Sequence, residues 1–269
     1  MTLKDYLKDS QTYREEIASF FRSEIIPAAI EKINDTFSPR RLSKQTRLIE
    51  PLPTDQRQLS SYRTRLGTML EYGLSTEIEK ILQNLYGDDF FLTFAVAHEF
   101  PDFYLRDEQR KPILKIEMKA VDADSDEQAA RFDVLLEHLD ENRDFILFIG
   151  WKWEEQESNE IKWESPIIFT FAFVSAYDLG VVRDARLLAT GGKIENGEIL
   201  VPSTKNRGTF TKDPGNYGKL WRIIQRKHRE ESKDLTPHAL DFLRFLDEVN
   251  THAPRNRMKA KKNPSDTES

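Results

Sequence analysis

Cysteine is absent from all 269 residues, which removes disulfides, thiol nucleophiles and thiolate metal sites from consideration. Such a chain fits a cytoplasmic address. Long apolar runs are missing as well. The most hydrophobic stretch, residues 166–174, is far shorter than the ~20 residues a membrane helix needs, so no membrane association is expected. The opening Met-Thr-Leu-Lys-Asp-Tyr has no basic start followed by an apolar run, so it does not read as a secretory leader. No glycine-rich phosphate loop is present: Gly191-Gly192-Lys193 lacks the rest of a Walker pattern and reads as a turn. Histidines stand scattered at 98, 138, 228, 238 and 252, without the paired spacing of zinc proteases or zinc fingers. No serine nucleophile elbow occurs.

Positive charge is scarce overall, with a net charge of −6, but it is unevenly placed. Residues 201–262 hold fifteen Lys or Arg against seven Asp or Glu, a balance of +8 that leaves −14 for the rest. That asymmetry suggests a polyanion-facing region on an acidic body, a solvated basic tail being the plain alternative. Hydrophobic residues at 38% and charged residues at 32% describe a polar globular chain, and seventeen Phe, eight Tyr and four Trp can fill its core.

Periodicity predicts an amphipathic helix over 12–34, on Ile17, Phe20, Phe21, Ile25, Ile30 and Ile33, kinked or divided at Pro27. Residues 36–60, with Pro39, Pro51 and Pro53 among Arg40, Arg41, Lys44, Arg47 and Arg57, read as an irregular basic loop. A second helix is predicted over 62–85, with Leu66, Leu70, Leu74, Ile78, Ile81 and Leu85 as its stripe and Gly87 as its stop. Strands follow near 90–97, 102–106 and 112–121. A helix over 125–139 is expected to start on Asp124 and to bury Ala129, Phe132, Leu135, Leu136 and Leu139. Strands at 145–149 and 167–174, a helix over 178–188, a small hairpin around Asn196-Gly197, and helices over 217–229 and 237–249 complete the reading.

The informative feature is Pro101-Asp102, followed fifteen residues later by Glu117-Met118-Lys119. Both lie on strand-like segments joined by the polar loop Asp107–Lys111, which suits a hairpin. Side chains two apart on a strand point the same way, so Glu117 and Lys119 share one face and Leu114, Ile116, Met118 and Ala120 the other. Charges at Lys115, Glu117 and Lys119 interrupt an otherwise apolar strand, and buried ions cost several kcal/mol unless paired or metal-bound. Two carboxylates and an ammonium on one patch suit a hard divalent cation and phosphodiester hydrolysis. Glu160-Ile-Lys162 and Glu231-Ser-Lys233 share the Glu-x-Lys spacing, but neither follows a Pro-Asp, and Pro101-Asp102 is the sole Pro-Asp in the chain.

These residues resemble the PD-(D/E)xK signature of the restriction-endonuclease-like nucleases, and the resemblance covers about residues 62–153. It implies an α/β fold with an αβββαβ core, a mixed central sheet flanked by helices, and helical elaborations at both ends. On that reading one nuclease domain spans 1–250, with its core at about 62–175 and elaborations at 1–61 and 203–250, and the polar, biased composition beyond it is expected to form a flexible tail at 251–269. In that family the acids bind Mg²⁺, with Mn²⁺ as a substitute, and the lysine assists the attacking water. Asp102, Glu117 and the carbonyl of Met118 would then be metal ligands and Lys119 the helper. Arg63-Thr-Arg-Leu-Gly67-Thr-Met-Leu-Glu71 is similar to the first core helix of such enzymes, which places a supporting role on Glu71, with Glu77 and Glu79 in reserve.

The expected activity is a type II restriction endonuclease cutting double-stranded DNA as a homodimer, paired with a cognate DNA methyltransferase. A repair or phage-defence nuclease of the same superfamily, or a non-catalytic DNA-binding module, are the other readings. DNA contacts are expected from Arg40, Arg41, Lys44, Arg63, Arg65, Lys205, Asn206, Arg207, Lys212 and Arg222. Arg131 is a lesser candidate. Asp122, Asp124 and Asp126 could add metal ligands, although helix capping by Asp124 is the simpler role.

Overall fold

Helix α1 (Leu3–Lys8) opens on a capping box: the Asp5 N–H donates to Thr2 Oγ1 (3.4 Å) and the Thr2 N–H donates to Asp5 Oδ2 (2.6 Å). The structure is a computed structural model. It describes residues 1–9, 13–36, 56–95, 99–123, 130–158, 161–220 and 235–252, with the backbone alone at 56–60, 62, 155–158 and 161–164. The predicted 12–34 helix is α2 (Arg14–Phe20), a π turn (Phe21–Ile25) and α3 (Ile26–Thr36) in unbroken succession. Proline lacks an N–H and crowds the carbonyl four residues back. The wider π turn, closed by the Ile26 N–H on the Phe21 carbonyl, lets the chain stay helical through Pro27 instead of breaking there.

Helix α4 (Gln56–Tyr86) starts earlier than the expected Tyr62, so the end of the supposed 36–60 loop is helical. Residues 37–55, with Arg40, Arg41 and Lys44, lie outside the described residues. Leu66, Leu70, Leu74, Ile78 and Leu82 are buried, whereas Leu85 is 52% exposed: the helical period carries the stripe from Ile78 to Leu82 and past Leu85. Gly87, at φ 63°, ends the helix in the left-handed region where glycine is unstrained.

Five strands form one mixed sheet in sequential order: β1 (Phe90–Phe94), β2 (Phe103–Asp107), β3 (Pro112–Asp122), β4 (Asp144–Ser158) and β5 (Ile161–Ser175). Only β3 and β4 run parallel; the other neighbours are antiparallel. Leu114, Ile116 and Met118 of β3 and Phe145, Leu147 and Ile149 of β4 face α1–α4. The alternate residues Val121, Ile146 and Phe148 face α5 (Ala176–Ala189) and α6 (Pro237–Thr251), so the sheet is the middle layer of three. α6 approaches β4 closely enough to need Gly150. A Cβ there would meet Thr170 Cγ2 at 2.6 Å and Val249 Cγ2 at 2.9 Å. Among the described residues no helix is long and apolar enough to cross a membrane.

Two expected helices are corrected. Of the predicted 125–139 helix, residues 130–139 are described, and they are extended apart from a single 3₁₀ turn, Leu136–His138. Their backbone groups bond across the chain instead of along it: Phe132 N–H to the Gly218 carbonyl (2.7 Å) and Leu220 N–H to the Ala130 carbonyl (3.2 Å). Pairing with 218–220 thus replaces the helical ladder. The same pairing displaces the start of the predicted 217–229 helix: residues 217–220 form a turn and a bridge, and 221–229 lie outside the described residues. The hairpin at Asn196-Gly197 is present as β6 (Lys193–Glu195) and β7 (Glu198–Pro202), and it gains an unexpected third strand, β8 (Phe210–Lys212).

Candidate active site

The site is built where β2 stops short of β3. Phe103, the first residue of β2, pairs with Ile116, and no β2 residue accompanies β3 further. N–H groups alternate sides along a strand, and Lys115 directs its own to the Arg143 carbonyl on the β4 side. The N–H groups of Met118 and Ala120 therefore emerge on the abandoned side, where they would be orphaned. Carboxylates satisfy both. Asp102 Oδ2 accepts from Met118 N–H at 2.7 Å, and Glu71 Oε1, from α4, accepts from Ala120 N–H at 2.9 Å. α4 lies close on β3 here: a Cβ added at Gly67, one turn before Glu71, would be in ordinary contact with the Ala120 Cβ at 3.5 Å.

Glu117 and Lys119 lie on the sheet face opposite Met118, as strand parity predicts, and form an ion pair. The Lys119 side chain is 22% exposed and that of Glu117 is 11% exposed. Asp102, Glu71, Glu117 and Lys119 all line one cleft of about 740 Å³. Its walls are aromatic: Tyr72 stacks on Phe94 (4.7 Å between centroids), Phe94 packs on Phe103 (4.8 Å), and Phe100 meets Phe132 edge-on (5.6 Å). Met118 contributes only backbone, because its side chain is buried against the helices.

Electrostatically the cleft is short of positive charge. Burial pushes the Glu71 carboxyl up to about 7, the Ala120 N–H pulls it back, and Asp102 raises it further. Burial also raises Glu117, against the pull of Lys119. Burial alone would lower the Lys119 ammonium, but Glu117, Asp102 and Glu71 together outweigh it and hold it above its ordinary value. Lys119 is thus an ammonium at neutral pH, suited to stabilising negative charge and not to removing a proton. Three acids around one cation leave room for a divalent ion with hard-oxygen preference. In this arrangement Glu117 is tied to Lys119, and Asp102 and Glu71 to backbone N–H groups. Accordingly, among the described residues, no three His, Asp or Glu side chains already converge as a metal cage.

The other expected contacts are dispersed. Arg63 is in ion-pair contact with Asp122 at the end of β3 (2.7 Å), with 18% and 8% of their side chains exposed. Arg65 is exposed on α4. Lys205, Asn206 and Arg207 are exposed on the turn between β7 and β8, and Lys212, on β8, pairs with Glu198. Arg222, Asp124 and Asp126 lie outside the described residues. Arg131 is at the mouth of the cleft beside Asp133 (2.8 Å). Its segment is pinned by buried Arg183, which stacks over the Tyr217 ring (4.0 Å) and donates to the Phe132 carbonyl (3.1 Å). Lys115 and His138 also line the cleft, and sequence reasoning assigned neither to it. The signal for Lys115 was its parity with Glu117; that for His138 was absent, since only the 130–139 path brings it near. No family model matches the chain, and no curated protein matches it significantly.

Proposed function

We propose that this chain is a Mg²⁺-dependent endonuclease of the PD-(D/E)xK superfamily that hydrolyses phosphodiester bonds in double-stranded DNA, a type II restriction enzyme. The observation that carries the reading is the convergence of Asp102, Glu71, Glu117 and Lys119 on one cleft at the open edge of β3. A protein that merely needed to close that edge with Asp102 and Glu71 would gain nothing from adding a third carboxylate, Glu117, beside a half-buried lysine. Burial raises Glu71 and Glu117, the neighbouring Asp102 raises both further, and a cation would relieve this.

Asp102 and Glu117 would hold the metal, with Glu71 behind them and the Met118 carbonyl as a further oxygen. A bound Mg²⁺ supplies charge neutralisation on the phosphate and a more acidic water. The chain's own residues do the rest. Lys119, kept as an ammonium by its three acidic neighbours, stabilises the hydroxide-like nucleophile and the added charge of the pentavalent phosphorus. The aromatic walls at Phe94, Phe100 and Phe132 limit water around the reacting phosphate. Cutting both strands of a palindrome calls for two such sites across a twofold axis, hence a homodimer. A cognate methyltransferase would protect the host DNA.

The test is cleavage of plasmid DNA with Mg²⁺, with EDTA, and by Asp102→Ala and Lys119→Ala. Discrete fragments in Mg²⁺ alone, lost in both variants, are expected. A smear would favour a repair or phage-defence nuclease of the same superfamily, and gel shifts without cleavage in Mg²⁺ or Mn²⁺ a DNA-binding module. Full cleavage by both variants would remove these residues from the chemistry.

A further inference from the structure

The cleft has a second cation that the chemistry above does not use. Lys115 shares the β3 face of Glu117 and Lys119, and two residues along a strand place its Cα about 7 Å from that of Glu117. Its Nζ is 3.1 Å from Asp144 Oδ2, and the Asp144 side chain is fully buried at the start of β4. The same oxygen accepts the Asp140 N–H at 2.9 Å, so the anchor is itself fixed. An ammonium has three donors, and Asp144 takes one. The Lys115 side chain is 35% exposed, over the Phe100 ring (5.6 Å), on the cleft side. Arg131, paired with Asp133, and His138 line the same cleft, as do the acids Glu71, Glu99, Asp102 and Glu117.

We propose that Lys115, held in place by Asp144, is a second subsite that binds the phosphate next to the one being cut, so that the preferred substrate is a run of nucleotides and not a lone phosphodiester. This rests on the nuclease reading above. A polyanion fits two such subsites: one phosphate lies with the cation among the acids, and its neighbour lies on a lysine whose position is set before binding by Asp144, which lowers the ordering cost.

The experiment measures duplex binding to the full-length chain by fluorescence anisotropy in EDTA, as log Kd against log salt concentration, for wild type, Lys115→Gln, Lys115→Arg and Lys115→Gln/Asp144→Asn. One lost phosphate contact lowers the salt slope by about 0.9. Lys115→Gln is expected to show that reduction and several-fold weaker binding at low salt, and Lys115→Arg to restore both. Should Lys115→Gln unfold because Asp144 is left unpaired, the double variant removes both charges together and must show the same reduced slope. A wild-type slope in the folded Lys115→Gln, or in the double variant, overturns the subsite alone, provided that wild type binds and cleaves DNA. A wild type that neither binds nor cleaves overturns the nuclease reading itself.

Discussion

Asp102 has two duties that substitution can separate. One oxygen accepts the Met118 N–H where β2 has ended, and the carboxylate charge is the proposed chemical asset. Asp102→Ala removes both and leaves that N–H without its acceptor. A hydrogen bond to a charged group contributes roughly 1.5–3 kcal/mol net, so a loss near 2 kcal/mol is expected. For a chain of this size each kcal/mol moves the melting temperature by about 2–4 °C, which makes the drop about 4–8 °C. Asp102→Asn behaves differently. Its amide oxygen still accepts the N–H, and the lost charge had been raising both Glu71 and Glu117, so the crowding eases. Because the charge of the acceptor and its attraction to Lys119 are lost as well, its melting temperature should fall between those of Asp102→Ala and wild type. Both variants should fail to cut plasmid DNA. Thermal denaturation followed by circular dichroism, beside a nicking assay, reads the two duties independently. Equal stability of Asp102→Ala and wild type would refute the structural half of the argument, and cleavage by Asp102→Asn would refute the chemical half.

Gly150→Ala should cost about 1–3 kcal/mol, because its Cβ would press on Thr170 Cγ2 and Val249 Cγ2. Adding Thr170→Ser, which removes the nearer methyl but keeps the hydroxyl that donates to Glu248, should recover part of that loss in urea melts. Glu71 has its folded value raised from 4.5 to about 7, so the native state holds a proton that the unfolded chain has released. Stability should therefore fall as pH rises from about 4.5 to 7, and Glu71→Gln should flatten this limb and be the more stable protein above pH 7. His238 is shifted the other way. Burial lowers it, Glu15 and Asp178 oppose, Arg22 and Arg14 assist, and its Nδ1 accepts the Ser175 N–H while facing Arg22. The unfolded chain then takes up a proton below pH 6.5 that the native state resists, so stability is lost as pH falls through that range; an acid titration of His238→Gln lacking any change in that limb would contradict it.

The strand carrying the candidate site was the most legible part of the chain. Alternation fixed the opposed faces of Met118 and Glu117, and the Asp107–Lys111 loop fixed the hairpin that returns Asp102 to their side. Glu71 was accessible through the resemblance of its helix and not through its charge. What the sequence could not display were contacts made at long range. Phe132, Leu136 and Leu139 have helical spacing, yet Phe132 bonds to Gly218, and Leu136 and Leu139 pack on Gly180. Arg63 looked like a free phosphate contact until the end of β3 brought Asp122 against it. Asp144 gave no hint beyond preceding an apolar strand, since its importance lies wholly in the parallel pairing that seats it beside Lys115.

The early ending of β2 also bears on how such a protein could age. Because Asp102 and Glu71 close the backbone of β3, a descendant without the proposed activity would still be held to an acceptor at those two positions. Lys119 and Glu117 carry no such obligation and would drift first, as a pair, towards neutral side chains. Decay of the chemistry would thus leave behind a fold that still looks half armed.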